Sequence, residues 1–178
     1  MKKILLSVAA AAIALTAVNA QAANGTVAFT GQIVKATCTV DNDSKNQSVF
    51  IGKYPTTAFS AAGDVTASKA FNIKLVNCDT GSYSLRFDGP TLAGYPNLLA
   101  VSAATGVGIE ILSNDEKIIP INQTASTTAL AAITNTAASG STANGTATFN
   151  LKARYKSTTA NVTEGAANAS STFTIEYN

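Results

Sequence analysis

Apolar and polar residues alternate with a period of two over much of this chain, the spacing of β-strands whose successive side chains point to opposite faces. From Thr26 to Val34 the pattern puts Val27, Phe29, Gly31 and Ile33 on one face and Thr26, Ala28, Thr30 and Gln32 on the other. Further strands are predicted at Thr37 to Val40, Ser48 to Ile51, Ala70 to Asn77, Ser82 to Phe87, Gly106 to Leu112, Lys117 to Ile121, Thr146 to Tyr155 and Ser170 to Tyr177. Asp88-Gly89, Asn114-Asp115 and Asn144-Gly145 punctuate them as turns. Many short strands at this spacing favour an all-β sandwich over a barrel or an α/β fold. The Ala-, Thr- and Ser-rich stretch from Thr124 to Thr142 reads as a surface connection; within it Ala129 to Ile133 has enough helix formers for one short helix, which the flanking Thr and Ser resist.

The first residues follow a different rule. Lys2 and Lys3 precede an apolar run from Ile4 to Val18, followed by V-N-A at 18 to 20 and A-Q-A at 20 to 22. This is the pattern of an export signal, residues 1–20, cleaved after Ala20 or alternatively after Ala22, and it is short for a membrane span. Its removal takes two lysines and leaves equal numbers of basic and acidic side chains. A neutral chain has no charge with which to hold a phosphate backbone, so nucleic acid is not an expected partner. Membrane association is expected only in passing, during export.

The residue inventory excludes much chemistry. The 178 residues contain no His, which removes histidine triads, histidine metal sites and haem ligation. No G-x-S-x-G, phosphate-cradling glycine loop or metal-ligand cluster occurs, so no enzymatic activity, catalytic residue, metal site or cofactor is expected. Asp41 and Asp43 lie in the polar run D-N-D-S-K-N at 41 to 46, read as a solvated loop, and Lys152, Arg154 and Lys156 recur on one strand face as a soluble surface or an intersubunit contact. Export places Cys38 and Cys78 in an oxidising compartment, where two thiols of a small domain pair as a structural bridge. Seven N-x-S/T matches are what chance supplies in so Thr-, Ser- and Asn-rich a chain, and they do not establish glycosylation. Only 12% of residues are charged, so the surface is one that neighbours can cover with little desolvation of charge.

Both ends of the exported chain carry strand patterns. At the C-terminus, Phe173, Ile175 and Tyr177 alternate with Thr172, Thr174 and Glu176, so the last residues are shaped for pairing. From the residues alone, the Val27–Ile33 face fits either an edge strand of its own domain or a segment that pairs elsewhere. Gly31 on that face marks a bulge or a close backbone approach.

The chain resembles the subunits of chaperone-usher pili, and in particular the major subunit of type 1-like fimbriae. The likeness is carried by N-G-T-V-A-F-T-G-Q-I-V at 24 to 34, A-T-C-T-V at 36 to 40, V-N-C at 76 to 78, G-V-G-I-E-I at 106 to 111, N-G-T-A-T-F-N-L-K-A-R-Y at 144 to 155 and A-N-A-S-S-T-F-T-I-E-Y at 167 to 177. It implies an all-β fold: an incomplete immunoglobulin-like sandwich that lacks its final strand and is completed by a strand donated from a neighbouring subunit. It implies an N-terminal donor-strand extension at 21–34 and a pilin domain at 35–178. Val27, Phe29, Gly31 and Ile33 are then donor residues, and Phe173, Ile175 and Tyr177 line the acceptor groove or the core beneath it. Cys38 and Cys78 correspond to the family disulfide. The implied partners are identical or related pilus subunits, a periplasmic chaperone and an outer-membrane usher. The implied function is a structural subunit of a surface fimbrial rod involved in adhesion, reached through the periplasm, with a minor adaptor or small adhesive subunit as the alternative.

Overall fold

Alternation becomes structure where both faces of a strand find their proper surroundings. In a computed structural model, described for residues 25–31, 33, 38–78, 81–123, 133–135 and 145–177, the chain divides into two units, Met1–Val34 and Lys35–Asn178. The larger unit runs β1 (Thr39–Val40), α1 (Asn42–Lys45), a 3-10 turn (Thr56–Ala58), β2 (Lys69–Cys78), β3 (Gly81–Asp88), β4 (Thr91–Leu92), β5 (Tyr95–Ala100), β6 (Val107–Ser113), β7 (Ile133–Asn135), β8 (Gly145–Ser157) and β9 (Thr172–Tyr177). These strands form a six-stranded sheet in the order β1-β2-β8-β6-β5-β4 and a three-stranded sheet in the order β7-β3-β9. Every ladder between named strands is antiparallel.

Register places the apolar residues of neighbouring strands side by side. Phe71, Ile73 and Leu75 of β2 lie opposite Leu151, Phe149 and Ala147 of β8, and Ile109 and Ile111 of β6 lie opposite Tyr155 and Ala153. In the smaller sheet Leu85 and Phe87 lie opposite Ile175 and Phe173. These inward faces make one core, with Leu75, Leu85 and Ile119 completely buried. A one-residue slip of β8 would turn Phe149 and Leu151 outward, so the core fixes the register.

The other face of the large sheet explains the basic stripe. Glu110 of β6 faces Arg154 of β8 and is 0% exposed. One carboxylate oxygen accepts from Arg154 (Nε at 2.8 Å, with the second guanidinium nitrogen at 2.6 Å) and the other from Lys156 Nζ at 2.7 Å. Lys152 pairs with exposed Glu116, and its ammonium holds that carboxyl below its ordinary range against a smaller opposing effect of desolvation. The stripe therefore binds its own carboxylates.

Several elements differ from the sequence reading. Ser48 to Ile51 forms no strand, and Lys117 to Ile121 contributes only the isolated bridges Leu112–Ile118 and Phe87–Ile121. The β4–β5 hairpin goes unseen in the pattern because Pro96 interrupts it; Pro96 is accommodated where the register shifts between Thr91 and Leu92. Asn42–Lys45 is a one-turn helix rather than a loop, capped by Asp41, whose Oδ1 accepts from Asp43 N–H at 3.1 Å. Ile133–Asn135 pairs with β3, so the connection read between Thr124 and Thr142 contains a strand; the remainder of that stretch lies outside the described residues. The export segment, residues 1–20, lies outside them as well.

Replacing Glu110 with Gln removes the buried carboxylate that neutralises Arg154 and Lys156, neighbours on one face of β8, and is expected to lower stability by up to about 3 kcal/mol in a denaturant titration. Glu116→Gln, at the solvent-exposed pair, should leave the midpoint unchanged. Replacing both cysteines removes a link between positions 40 residues apart, worth about 4 kcal/mol in the loop-entropy model, and should reduce the yield of soluble subunit on a non-reducing gel.

Candidate functional site

The larger unit carries a long apolar groove whose two walls are formed by chain that pairs on one side only or not at all. The first wall arises where the chain leaves β2. After Val40 the ladder continues for one bond, Asp41 N–H to Lys74 C=O at 2.9 Å, and then α1 turns the main chain away. Side chains replace the missing backbone partners: buried Ser44 accepts from Lys74 N–H at 3.0 Å, and Gln47 Nε2 donates to Asn72 C=O at 2.8 Å. The edge of β2 is thereby satisfied while residues 47–56 pass along the groove, with Val49 and Ile51 half-buried against it and Phe50 largely exposed between them. Among the described residues, no backbone hydrogen bond joins 48–54 to another strand.

The second wall is residues 162–173. Its outer side is tied to residues 102–105 by Ser102 N–H to Asn168 C=O and Ala103 N–H to Ala166 C=O, both 2.9 Å, and by Thr105 N–H to Thr163 Oγ1 at 2.9 Å. Gly165 permits this approach, because a Cβ there would stand 3.0 Å from the Ala104 nitrogen. The wall runs on into β9, which pairs with β3 and, among the described residues, with no strand on its other edge.

Between the walls lie two contiguous cavities of about 940 and 810 Å³ that share Gln47, Val49, Ile51, Ile109 and Ala169. Phe71, Ile73, Ile109 and Ile111 floor the smaller one, next to Cys38. At the far end Tyr54 meets Tyr155 edge-on at 6.1 Å, and Tyr155 donates to Ala167 C=O at 3.1 Å. Burial, and secondarily Tyr54, raises the Tyr155 phenol above its ordinary pKa, so it stays a neutral donor. Gly52, at φ +135°, gives the Tyr54 ring its place: a Cβ at position 52 would lie 2.9 Å from that ring. An apolar trough with bare backbone along its margins matches the needs of an extended peptide, whose own amides require partners on both sides.

The residues singled out in the sequence divide as follows. Cys38 and Cys78 are joined. Phe173 lines the groove and packs against Phe87 at 6.4 Å, while Ile175 is half-buried against the core. The backbone of Tyr177 faces Tyr83; its side chain lies outside the described residues. Val27, Phe29 and Ile33 belong to the N-terminal unit, form no strand, and are 74, 93 and 101% exposed. Val49, Ile51, Phe71, Ile73, Ile109 and Ile111 are lining residues that sequence reasoning did not assign to a site. All of them fall within strands predicted from the pattern, which does not show that a strand is missing above them. Residues 162–169, mostly small or polar, offered no signal at all.

This fold and its open-edged groove are those of an incomplete immunoglobulin-like domain, as comparison with solved structures shows. The crystal structure of the P pilus rod subunit PapA superposes with a TM-score of 0.64 at 24% identity, covering 80% of this chain and all of that one, a likeness of fold. A type I fimbria protein of Burkholderia pseudomallei superposes with a TM-score of 0.55 at 34% identity, covering 86% of this chain and 97% of its own. The family model described as Fimbrial protein matches residues 27–178. A type-1 fimbrial protein subunit of Serratia marcescens is 53% identical over 184 residues, covering 99% of both chains, and a fimbrial subunit type 1 of Salmonella typhimurium is 39% identical over 97% of this chain and 93% of its own. The chain belongs to the fimbrial protein family. It is a structural subunit of a cell-surface fimbrium.

Gly52→Ala forces a side chain into a left-handed backbone and against the Tyr54 ring, and is expected to cost more than about 1 kcal/mol of stability by denaturant titration. Adding Tyr54→Ala should recover only part of this, because the backbone strain remains.

Proposed function

We propose that the groove receives residues 25–34 of another copy of this chain, and that repetition of this donor-strand exchange builds the fimbrial rod. The observation that carries the reading is the presence in one chain of an apolar, open-edged groove and of an exposed segment whose alternate residues, Val27, Phe29, Gly31 and Ile33, suit it. The donated backbone satisfies the bare edges of β9 and of residues 48–54, while Val27, Phe29 and Ile33 enter the trough. Each of the three contributes about 1.5 to 3 kcal/mol on full burial, before ordering costs. Donor and acceptor surfaces differ, so the contact is heterologous and propagates as an open filament.

Export supports the same reading. Cleavage after Ala20 frees residues 21–34, and cleavage after Ala22 residues 23–34, as an N-terminal extension ahead of the pilin domain, 35–178. An uncovered groove of this kind is an aggregation hazard, so a periplasmic chaperone shields it until an outer-membrane usher exchanges the shield for the next subunit.

Material sheared from cells should run as a ladder on an unheated denaturing gel and collapse to one abundant monomer on boiling. Monomer in both lanes would show that the subunits are not linked through strands. Phe29→Asp should stop growth of the polymer while leaving the domain able to accept a wild-type strand; fibres of normal length from a strain carrying only that variant would refute the donor role of Phe29.

A further inference from the structure

Charge at the two ends of the groove differs, and the difference bears on which way a strand lies in it. The larger cavity has two charged lining residues, Lys53 on the first wall and Glu164 on the second. The smaller has one, Lys45. Asp41 and Asp43, on and just before α1, do not line it. Glu164 and Lys53 are both exposed, and among the described residues neither forms an ion pair.

A strand added beside β9 completes a domain in which every ladder between named strands is antiparallel, and antiparallel pairing is the more stable per residue. Lying antiparallel to the 162–177 wall, with its apolar face turned the same way as Phe173 and Ile175 and its end at the larger cavity, the ten residues 25–34 run from beside Ile175 to beside Ala166, which brings Lys35 next to Gly165 and Glu164. Its last inward apolar residue, Ile33, then falls at the larger cavity. The next residue on that face is Lys35, the first charged residue of the chain after Lys3. Two residues of strand span about 7 Å, which puts the Lys35 ammonium at the mouth where Glu164 stands on the adjoining wall. The reverse orientation carries Lys35 to the end lined by Lys45, where, among the described residues, no carboxylate lines the cavity.

We propose that Lys35 of the donor copy pairs with Glu164 of the acceptor, and that this ion pair fixes the register of the donated strand. The proposal rests on the groove's acceptance of residues 25–34. Lys53 on the opposite wall faces Lys35 with like charge, which restricts the favourable position of the ammonium to the Glu164 side.

The test is a charge-reversal cycle using the disulfide-bonded mature chain and a fluorescent synthetic peptide of residues 24–37, read as dissociation rate by anisotropy at low salt. Either single reversal, K35E in the peptide or E164K in the subunit, is expected to speed release about two- to fivefold, and the two together to restore the original rate within about twofold. The single-reversal effect should fade in high salt. Equal release rates for the wild-type and K35E peptides, or a double reversal as fast as the product of the singles, would overturn the ion pair while leaving the groove reading intact. The peptide variant keeps the test independent of how E164K folds. Failure of the wild-type peptide to bind would overturn the groove reading itself. Independently, a photo-crosslinker at position 33 of the peptide should label residues 53–56 or 162–166. Labelling around Lys45 would instead show that the strand lies the other way.

Discussion

The structure is organised around an apolar floor whose flanking backbone edges, among the described residues, pair with no further strand. Residues 48–54 and the outer edge of β9 flank Phe71, Ile73, Ile109 and Ile111, and among the described residues no strand lies between them. Water can solvate such edges, but it cannot favourably cover the floor, and protein strands supply both needs together. Among the described residues the domain is therefore incomplete in its packing, and the proposed assembly uses that incompleteness.

Everything around the groove holds its walls apart without filling it. Cys38–Cys78 ties the start of β1 to the end of β2, and Ser44 and Gln47 carry hydrogen bonds to β2 after the main chain has turned away. Tyr155 secures the opposite wall through Ala167. On the outer face, Glu110 binds Arg154 and Lys156 across β6 and β8, fixing the register of two strands whose inner residues floor the groove. Ion pairing on one face and apolar packing on the other thus specify the same alignment. Agreement of this kind leaves few competing registers.

Strands β2, β3, β6, β8 and β9 were legible because each is long enough for the two-residue period to repeat and each buries one face. The groove was legible only in part. Phe173 and Ile175 announced an amphipathic last strand, and the family likeness supplied the meaning of its open edge. The alternation at Val49 and Ile51 was visible, but it suggested a paired strand, since pattern reports which side of a chain is apolar and not whether its edge is occupied. Residues 162–169 were silent: their place is set by hydrogen bonds to 102–105, some sixty positions away, and small residues at such a contact leave no periodic trace.

By itself the amino-acid order determined the all-β class, the long strands, the cysteine pair and the absence of histidine chemistry, because these follow from local period and residue type. It also singled out Val27, Phe29 and Ile33 as an apolar face. Tertiary structure decided which strands adjoin, that the basic stripe is neutralised by Glu110 and Glu116, and that two distant segments form the walls of one trough. Those outcomes depend on backbone hydrogen bonds and ion pairs between residues far apart in the chain, whose partners are chosen only when the sheets close over a common core.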